Sequence, residues 1–264
     1  MNVIVCIKQV PGTTEVKMNK ETNTIIREGI KSIINPFDTF AIEEALRIKD
    51  KFNSKVTGLS MGIPDTSILL KEAMSLGVDE AYLLSDRAFA GADSLATAYT
   101  LSMGIKYIND YDLIICGKQA TDGDTAQVGP SLAGKLNIPY ITYVSEIQEL
   151  KDGYIRCKRL IENGYEIIES TLPALITVVE DINVPRLPSI KNLRESFYKK
   201  VTMLTANDIN ADTTLTGING SPTQVVKTFI PEYDITSEII EGNPDEQADK
   251  LVDKLLSMGL SVSK

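Results

Sequence analysis

Apolar runs alternate with helix-like segments up to about residue 180, and this alternation restricts the fold more than any other feature. The predicted strands are Val3–Val10, Lys55–Leu59, Ala81–Leu84, Leu113–Cys116, Tyr140–Val144 and Leu172–Val179. The predicted helices between them are Pro36–Phe52, Pro64–Leu76, Asp93–Ile108 and Gln127–Leu136. Strands that are joined by helices form right-handed βαβ crossovers and pair in parallel. The sequence therefore predicts a Rossmann-like α/β fold: an open, mostly parallel sheet with helices on both faces.

An Asn-Gly pair at positions 163 and 164 predicts an antiparallel hairpin. The pair separates two runs of alternating polar and apolar residues, Tyr154–Ile161 and Glu166–Thr171. Asn-Gly is the preferred sequence of the two-residue turns that join antiparallel strands. We therefore expect a hairpin in addition to the parallel strands.

Beyond about Asp181 the pattern weakens, and up to about Gly242 no periodicity predicts a segment that could bury its own core. Such a stretch is either disordered or laid against something else. A final amphipathic helix follows, with Asn243 placed to cap it. We predict a nucleotide- or flavin-binding domain over residues 1–185 and a docking loop with an extended C-terminal arm over residues 186–264. The terminal helix packs either on a partner subunit or back on its own domain.

Composition excludes several classes of function. A net charge of −9 disfavours nucleic-acid binding, which needs clustered lysine and arginine. The chain has no histidine, which removes the Ser-His-Asp and Cys-His catalytic arrangements and the most frequent zinc ligand. The three cysteines, Cys6, Cys116 and Cys157, are far apart in sequence and predict neither a disulfide framework nor a metal site. No apolar run is long enough to span a membrane, and unpaired cysteines fit a reducing compartment, so we expect a cytoplasmic protein. Because histidine is absent, we expect a cofactor to carry any chemistry.

The stretch from Gly117 to Gln127 is the main candidate for a ligand site, because it joins a buried strand to the start of a helix. In open parallel sheets ligands bind beyond the carboxyl ends of the strands, and the free N–H groups of a helix start favour phosphate. The stretch lacks Walker A spacing, and no GxGxxG motif follows the first strand. The alternative is a surface loop rich in turn-forming residues. The candidate binding residues in and just after this loop are Asp122, Gly123, Thr125, Gln127, Gly129, Pro130 and Ser131.

Three further segments are predicted to reach the same rim. "VPGTTEV" (Val10–Val16) follows the first strand, and Asn35 can cap the next helix. "FAGADSLATA" (Phe89–Ala98) contains two small residues before Asp93, which can open a helix. Each of these segments is weak evidence alone, since a helix cap is usually only a cap.

Four motifs resemble those of a known family. They are "VCIKQVP" (Val5–Pro11), "NPFDTFAIEEAL" (Asn35–Leu46), "GKQATDGDTAQVGPSLA" (Gly117–Ala133) and "LPALITV" to "NVPRLPS" (Leu172–Ser189). With these motifs the chain resembles the β subunits of electron transfer flavoproteins. The residues that the rim argument and the resemblance together assign to a cofactor are Cys6, Asn35, Pro36, Phe37, Asp38, Met61, Gly91, Ala92, Asp93, Thr97, Gly117, Asp122, Gly123, Asp124, Thr125, Gln127, Val128, Gly129, Pro130 and Ser131.

The resemblance implies an adenine nucleotide. In ordinary members of the family this is a structural AMP, and in members that bifurcate electrons it is the adenylate part of a second FAD. The segments "QVPGTTEV" and Asp86–Ala98 are similar to the bifurcating, anaerobe type. A second FAD must extend past the adenine site, and the helix start at Asp93 offers donors there, with room beside Gly91 and Ala92. The resemblance therefore implies FAD, with AMP as the alternative, and NAD(H) as electron donor or acceptor.

The resemblance also implies partners. They are an α subunit in a heterodimer, ferredoxin or flavodoxin as one electron acceptor, and a flavin-dependent dehydrogenase of acyl-CoA or 2-hydroxy-acid type. The family docks the dehydrogenase through an apolar residue just after a Pro-Arg pair, and Ile190 matches that position. The segment that follows, "KNLRESF", departs from the family pattern.

Overall fold

The computed structural model describes residues 1–12, 18–19, 24–25, 31–151, 153–226 and 237–260. The chain divides into two compact units, Met1–Val226 and Lys227–Lys264, and the first contains the sheet and the candidate site. In the described ranges no helix is long and apolar enough to cross a lipid bilayer. Residues 13–16 of the predicted rim segment lie outside the described residues.

The predicted alternation of strands and helices is confirmed. The strands are β1 (Asn2–Cys6), β2 (Gln9–Pro11), β3 (Met18–Asn19), β4 (Thr24–Ile25), β5 (Ser32–Ile34), β6 (Lys55–Met61), β7 (Glu80–Leu84), β8 (Leu113–Gly117), β9 (Tyr140–Lys151), β10 (Tyr154–Ile161), β11 (Gly164–Thr171), β12 (Ala174–Val178) and β13 (Val201–Leu204). The helices are α1 (Pro36–Phe52), α2 (Thr66–Leu76), α3 (Ser94–Ile108), α4 (Val128–Leu136), α5 (Ile190–Ser196) and α6 (Pro244–Ser257).

One sheet organises the first unit. In the described part of the chain it has nine strands in the order β11-β10-β9-β12-β8-β1-β6-β7-β13. The strands from β9 to β13 along this order pair in parallel, whereas β10 pairs antiparallel with both of its neighbours. The mostly parallel sheet and the hairpin at Asn163-Gly164 are therefore both confirmed.

Helices cover both faces of the sheet. On one face α1 and α2 bury an apolar cluster that includes Ile42, Leu46 and Leu70. On the other face α3 and α4 bury a second cluster that includes Ile105 and Leu132. Each fully buried large aliphatic side chain contributes about 1.5–3 kcal/mol, so the two clusters fix the helix starts relative to the strand ends.

The strand order reverses at β1. From β1 the chain moves outward through β6 and β7, and it then crosses to β8 on the other side of β1. At such a reversal the connections leave the sheet in opposite directions, so a crevice opens beyond the carboxyl ends of the two central strands. The topology therefore places a binding crevice beyond β1 and β8.

The apolar run Val3–Val10 is not one strand, and that prediction was wrong. β1 ends at Cys6, and β2 pairs antiparallel with β5 in a separate ribbon. The chain is diverted at Lys8, whose backbone N–H donates to the Asp38 carboxylate (2.7 Å) and whose carbonyl accepts from the Asn35 N–H (2.9 Å). The start of α1 thus takes the hydrogen bonds that a neighbouring strand would otherwise make.

Part of the stretch after Asp181 packs on its own domain. α5 lies against α2, and β13 adds a parallel strand beside β7. Ala206 and Ile209 enter the cluster beneath α3. No periodic signal is found here in the sequence, because a four-residue strand and a seven-residue helix are shorter than the patterns that periodicity can identify. The predicted division at residue 185 between two functional regions stays a prediction.

The predicted C-terminal helix is confirmed as α6. The Asn243 side chain accepts from the Glu246 N–H, and the Glu246 carboxylate accepts from the Asn243 N–H, which forms a capping box. No side chain of this helix is buried. Its docking on a partner subunit stays a prediction.

Candidate nucleotide site

A cavity of about 350 Å³ opens beyond the carboxyl ends of β1, β6 and β8. Cys6, Met61 and Cys116 mark those strand ends in its lining. The loop from Lys118 to Gln127 and the starts of α3 and α4 complete it. The crevice that the topology requires and the loop that the sequence singled out are therefore the same place.

Most of the residues predicted to bind a cofactor line this cavity. They are Cys6, Asn35, Asp38, Met61, Ala92, Thr97, Gly117, Gly123, Asp124, Thr125, Gln127, Val128 and Gly129. The others do not line it, and they are Pro36, Phe37, Gly91, Asp93, Asp122, Pro130 and Ser131. Ile190, the predicted docking residue, does not line the cavity and is the first residue of α5. The binding and docking roles of all these residues stay predictions.

Asn35 holds the loop from behind. Its side-chain amide donates to the Gln119 carbonyl (2.8 Å), and its side-chain oxygen accepts from the Thr121 N–H (3.1 Å). The side chain is buried, so both bonds are shielded from water. The sequence suggested that Asn35 caps α1, but its side chain makes no capping hydrogen bond and instead fixes the backbone of the loop.

Asp38 joins the ends of the two central strands. Its buried carboxylate accepts from the backbone N–H groups of Lys8 and Gly117. Burial raises the pKa of Asp38 to about 7, although these bonds and one from Asn35 act in the opposite direction. A Cβ at Gly117 would clash with an Asp38 oxygen and lie 2.7 Å from the Phe37 carbonyl carbon, so this close approach requires glycine.

The start of α4 is open. The side chain of Gln127, at the N-cap position, makes no capping hydrogen bond. The first N–H groups of a helix have no partner within the helix, and Gln127, Val128 and Gly129 all line the cavity. Close packing holds this start in place, since a Cβ at Gly129 would lie 2.5 Å from the Thr177 methyl carbon on β12.

The loop before α4 has an unusual backbone. Asp124 (φ 54°) and Ala126 (φ 53°) are both left-handed. For a residue such as alanine this conformation costs about 1–2 kcal/mol. Strained residues of this kind cluster at ligand sites, because the surrounding structure holds them in place.

The start of α3, in contrast, is closed by Asp93. One carboxylate oxygen accepts from the N–H groups of Leu95 (2.9 Å) and Ala96 (3.0 Å). The other accepts from the N–H (3.1 Å) and the hydroxyl (2.8 Å) of Thr223. Burial alone would raise the pKa of Asp93, but these hydrogen bonds outweigh it and hold the pKa below its usual value. The donors that the sequence offered to a pyrophosphate are therefore already occupied, although Ser94 and Thr97 still line the cavity.

Two lysines line the cavity and differ in their partners. Lys8 forms an ion pair with Asp122 (2.5 Å), which joins the loop after β1 to the loop after β8. Lys118 has no carboxylate partner among the described residues. Its ammonium lies over the rings of Phe37 (5.7 Å) and Tyr143 (5.6 Å). Lys118 therefore keeps a positive charge available at the cavity.

An open helix start, a free ammonium and a loop that presents backbone groups form a site that suits a nucleotide phosphate. Residues 22–209 match the family model described as the electron transfer flavoprotein domain, and this span is more than half of the chain. The chain belongs to the electron transfer flavoprotein family.

Curated relatives identify the branch of the family. The chain is 50% identical to an electron transfer flavoprotein subunit beta of Thermoanaerobacterium thermosaccharolyticum, over 97% of this chain and 98% of the relative. It is 45% identical to the caffeyl-CoA reductase-Etf complex subunit CarD of Acetobacterium woodii, with the same coverage. It is 42% identical to the protein FixA of Azotobacter vinelandii, over 93% of this chain and 90% of the relative. The predicted resemblance to β subunits of anaerobes is confirmed.

No group of three or more potential metal ligands occurs among the described residues of this β subunit. The Cys116 thiol hydrogen-bonds with Cys6, and this contact together with burial raises the pKa of Cys116 well above its usual value. Such a thiol is a poor nucleophile at neutral pH. The cavity of this flavoprotein subunit also holds the Asp38 carboxyl, whose pKa of about 7 lies near neutrality.

Sequence reasoning missed several residues that line the cavity of this flavoprotein subunit. They are Ile7, Lys8, Leu59, Ser94, Leu101, Cys116, Lys118, Gln119, Ala120 and Ala126. Two signals could have found most of them. Leu59 and Cys116 end predicted strands, where ligands bind in parallel sheets, and Lys118 and Gln119 belong to the loop already singled out.

Proposed function

We propose that this β subunit holds FAD in the cavity and forms half of an electron-bifurcating flavoprotein in the cytoplasm. NADH supplies the electrons; one branch leads to ferredoxin or flavodoxin, and the other leads through the FAD of the α subunit to a flavin-dependent dehydrogenase of acyl-CoA or 2-hydroxy-acid type. The observation that carries the nucleotide site is the open start of α4 at the point where the strand order reverses, and the choice of FAD over AMP rests on the resemblance of Asp86–Ala98 to bifurcating members of the family.

The residues present fit the adenylate part of FAD. The cavity lies within the range of about 300–1,000 Å³ that ligand pockets occupy. The N–H groups at the start of α4 and the Lys118 ammonium would hold phosphate, and Asp124 and Thr125 offer polar groups to a ribose. Bound FAD supplies the capacity to accept hydride from NADH. The chain's own task is to orient the nucleotide and to hold fixed charges around it.

Relatives support the remainder of the proposal. One is named as a subunit of a caffeyl-CoA reductase-Etf complex, so a β subunit of this kind assembles with a reductase. We assign the contact with the dehydrogenase in this protein to Ile190, which is 89% exposed at the start of α5. An apolar side chain so exposed gains free energy when a partner covers it.

A second candidate is a β subunit that holds structural AMP and acts only as a docking module. The closed start of α3 favours it, because Asp93 already satisfies donors that the pyrophosphate of FAD would need. A single open helix start is sufficient for the one phosphate of AMP.

Counting nucleotides separates the two candidates. The chain is co-expressed with its α subunit, and the purified heterodimer is denatured so that the released FAD and AMP can be quantified by chromatography. Two FAD and no AMP per heterodimer support the proposal, and NADH must then bleach the flavin absorbance. One FAD and one AMP contradict it and support the docking module. A Gln127→Asp variant is the control, because it should lose only the nucleotide held by this chain.

A further inference from the structure

The backbone at Tyr143 is strained. Its φ of 58° lies in the left-handed region, where a residue with a bulky side chain is an outlier. The other non-glycine residues with positive φ in the described ranges are asparagine, aspartate or alanine, so Tyr143 is the one aromatic residue among them. Strain of this kind persists only where surrounding contacts impose it, and it is frequent beside binding sites. The contacts that hold Tyr143 therefore indicate what the strain achieves.

The strain coincides with a β-bulge. The strands β9 and β12 pair in register up to Ile141 and resume at Val144, so Thr142 and Tyr143 both lie opposite the single residue Thr177. A bulge changes the direction of a side chain relative to the regular strand, and bulges are frequent next to active sites. The bulge therefore sets the position of the Tyr143 ring.

Contacts on both sides hold the bulge. The Arg159 guanidinium on β10 donates to the carbonyl (3.1 Å) and the hydroxyl (3.0 Å) of Thr142. On the other side, the Tyr143 N–H donates to the buried hydroxyl oxygen of Thr177 (3.1 Å). The methyl group of the same threonine leaves no room for a Cβ at Gly129. Thr177 thus joins the bulge to the open start of α4.

Lys118 is fixed at its backbone and at its ammonium. Its N–H donates to the carbonyl of Val178, the residue after Thr177 (2.9 Å). Its ammonium lies 5.6 Å from the centre of the Tyr143 ring and 5.7 Å from the centre of the Phe37 ring. Lys118 lines the cavity, whereas neither ring does. The rings can therefore act on a ligand in the cavity through the lysine.

Two aromatic rings hold a cation differently from a carboxylate. A ring face attracts the ammonium without neutralising its charge, and the three N–H donors stay available. Lys8, the other lysine of the cavity, has its charge balanced by Asp122. A lysine side chain is flexible, so holding it before a ligand binds lowers the entropy cost of binding. Among the described residues, Lys118 is thus the cavity lysine whose charge is both positioned and available.

We propose that Tyr143 is a positioning residue: its ring, held by the bulge, places the Lys118 ammonium for the phosphate of the bound nucleotide and makes the site select a nucleoside phosphate over the nucleoside. The inference rests on the nucleotide site of the proposed function, which assigns a phosphate to Lys118, and it adds the residue that sets the position of that charge.

The test measures dissociation constants for AMP and for adenosine by calorimetry on the heterodimer after its nucleotide has been removed by dialysis. The variants are Tyr143→Leu, Tyr143→Phe, Lys118→Gln and the double variant of Tyr143→Leu and Lys118→Gln. Leucine and phenylalanine keep an unbranched Cβ at the strained position. Tyr165→Leu is the matched control, because Lys158 lies over the Tyr165 ring (4.4 Å) and neither residue lines the cavity. The FAD and AMP content of every variant is counted before dialysis.

We expect Tyr143→Leu to raise the dissociation constant of AMP at least fivefold and that of adenosine less than twofold, while Tyr143→Phe and Tyr165→Leu keep both. Lys118→Gln should weaken AMP binding at least tenfold. The double variant should be no worse than Lys118→Gln, because the ring acts through the lysine. Equal losses for AMP and adenosine in Tyr143→Leu, or additive losses in the double variant, would overturn the inference.

The nucleotide count tests the proposed function separately. One FAD and one AMP in the natural heterodimer, together with these selective losses, would contradict the FAD proposal and leave the inference standing. Two FAD, with the AMP affinity unchanged in Lys118→Gln, would support the proposed function and overturn the inference. If the natural heterodimer binds neither AMP nor adenosine, both fail.

Discussion

The helices α3 and α4 begin at the same cavity, but their starts are built in opposite ways. Asp93 closes α3, accepts four hydrogen bonds and has a lowered pKa. The start of α4 has no cap, and the aspartate behind its loop, Asp38, is buried with a raised pKa. At the start of α3 a side chain accepts from the backbone N–H groups. At the start of α4 no side chain does so, and close packing holds this helix start in place.

The difference teaches where a ligand can add stability. A capped helix start gains nothing from a phosphate, because its donors are already bonded. An open start gains the hydrogen bonds and the favourable interaction with the helix dipole. The following changes test this difference, from the largest expected effect to the smallest.

The two aspartates should respond to pH in opposite directions. The folded pKa of Asp38 is about 7 against 3.8 for a free carboxyl, so the folded state favours the protonated form and the free energy of unfolding falls as pH rises from about 4 to 7. The size of this change is roughly 4 kcal/mol. Asp93 has a lowered folded pKa, so its contribution is present above pH 4 and is lost as pH falls below its folded pKa.

Urea unfolding of the natural protein, Asp38→Asn and Asp93→Asn between pH 3 and 8 measures both effects. Asp38→Asn should remove the decline between pH 4 and 7, and Asp93→Asn should reduce the loss below pH 4. An unchanged slope between pH 4 and 7 in Asp38→Asn would contradict the assignment to Asp38.

Two glycines of α4 should respond oppositely to alanine. Gly129→Ala places a methyl group 2.5 Å from the Thr177 methyl carbon, so we expect a loss of about 1–3 kcal/mol in the free energy of unfolding and a lower nucleotide content. Gly134 has open space around its Cβ position, so Gly134→Ala should stabilise the protein by about 0.5–1 kcal/mol. Thermal unfolding of both variants gives the comparison. Equal effects would mean that α4 does not depend on close approach to β12.

An acidic capping residue at the start of α4 should weaken nucleotide binding there. Gln127→Asp puts a carboxylate at the open start, where it competes with phosphate for the same N–H groups. We expect nucleotide affinity to fall at least tenfold by calorimetry with AMP as the probe, while Gln127→Leu, whose side chain cannot cap a helix, changes it less than threefold. If both variants bind AMP equally, phosphate does not use this helix start.

Removal of the Asp93 cap from α3 should have the smallest effect on the free energy of unfolding. Asp93→Ala removes the cap and the link to Thr223, which costs about 1 kcal/mol of unfolding free energy, and Asp93→Asn should recover most of it. If FAD uses this helix start, Asp93→Ala should also tighten FAD binding, because Leu95 and Ala96 regain free donors. A loss of FAD in this variant would instead assign Asp93 to the cofactor.

Sequence pattern predicted the architecture well and the site in part. The helices and the hairpin have strong periodicity or turn chemistry, so α1, β10 and α4 were predicted to within a residue or two. The loop from Gly117 to Gln127 was found because it follows a buried strand, and strand ends bind ligands in such sheets.

What the sequence could not supply is the set of contacts between distant segments. Asn35 and Asp93 both read as helix caps, but only Asp93 caps its helix, because the Asn35 side chain bonds instead to the loop at Gln119 and Thr121. The break of the first strand at Lys8 likewise depends on Asp38, which is thirty residues away in sequence. Pairings of this kind leave no local signal.

Helix α1 physically connects the two proposed surfaces of the molecule. Asp38 in its first turn lines the cavity, and Glu43, farther along the same helix, holds Arg186 and with it the exposed stretch that leads to Ile190. Binding free energies are reciprocal, so whatever factor a nucleotide applies through α1 to the affinity for the dehydrogenase, the dehydrogenase applies to the affinity for the nucleotide. A factor different from one, measured as a difference in dehydrogenase affinity between the heterodimer with and without its nucleotide, would show that α1 couples the two proposed surfaces.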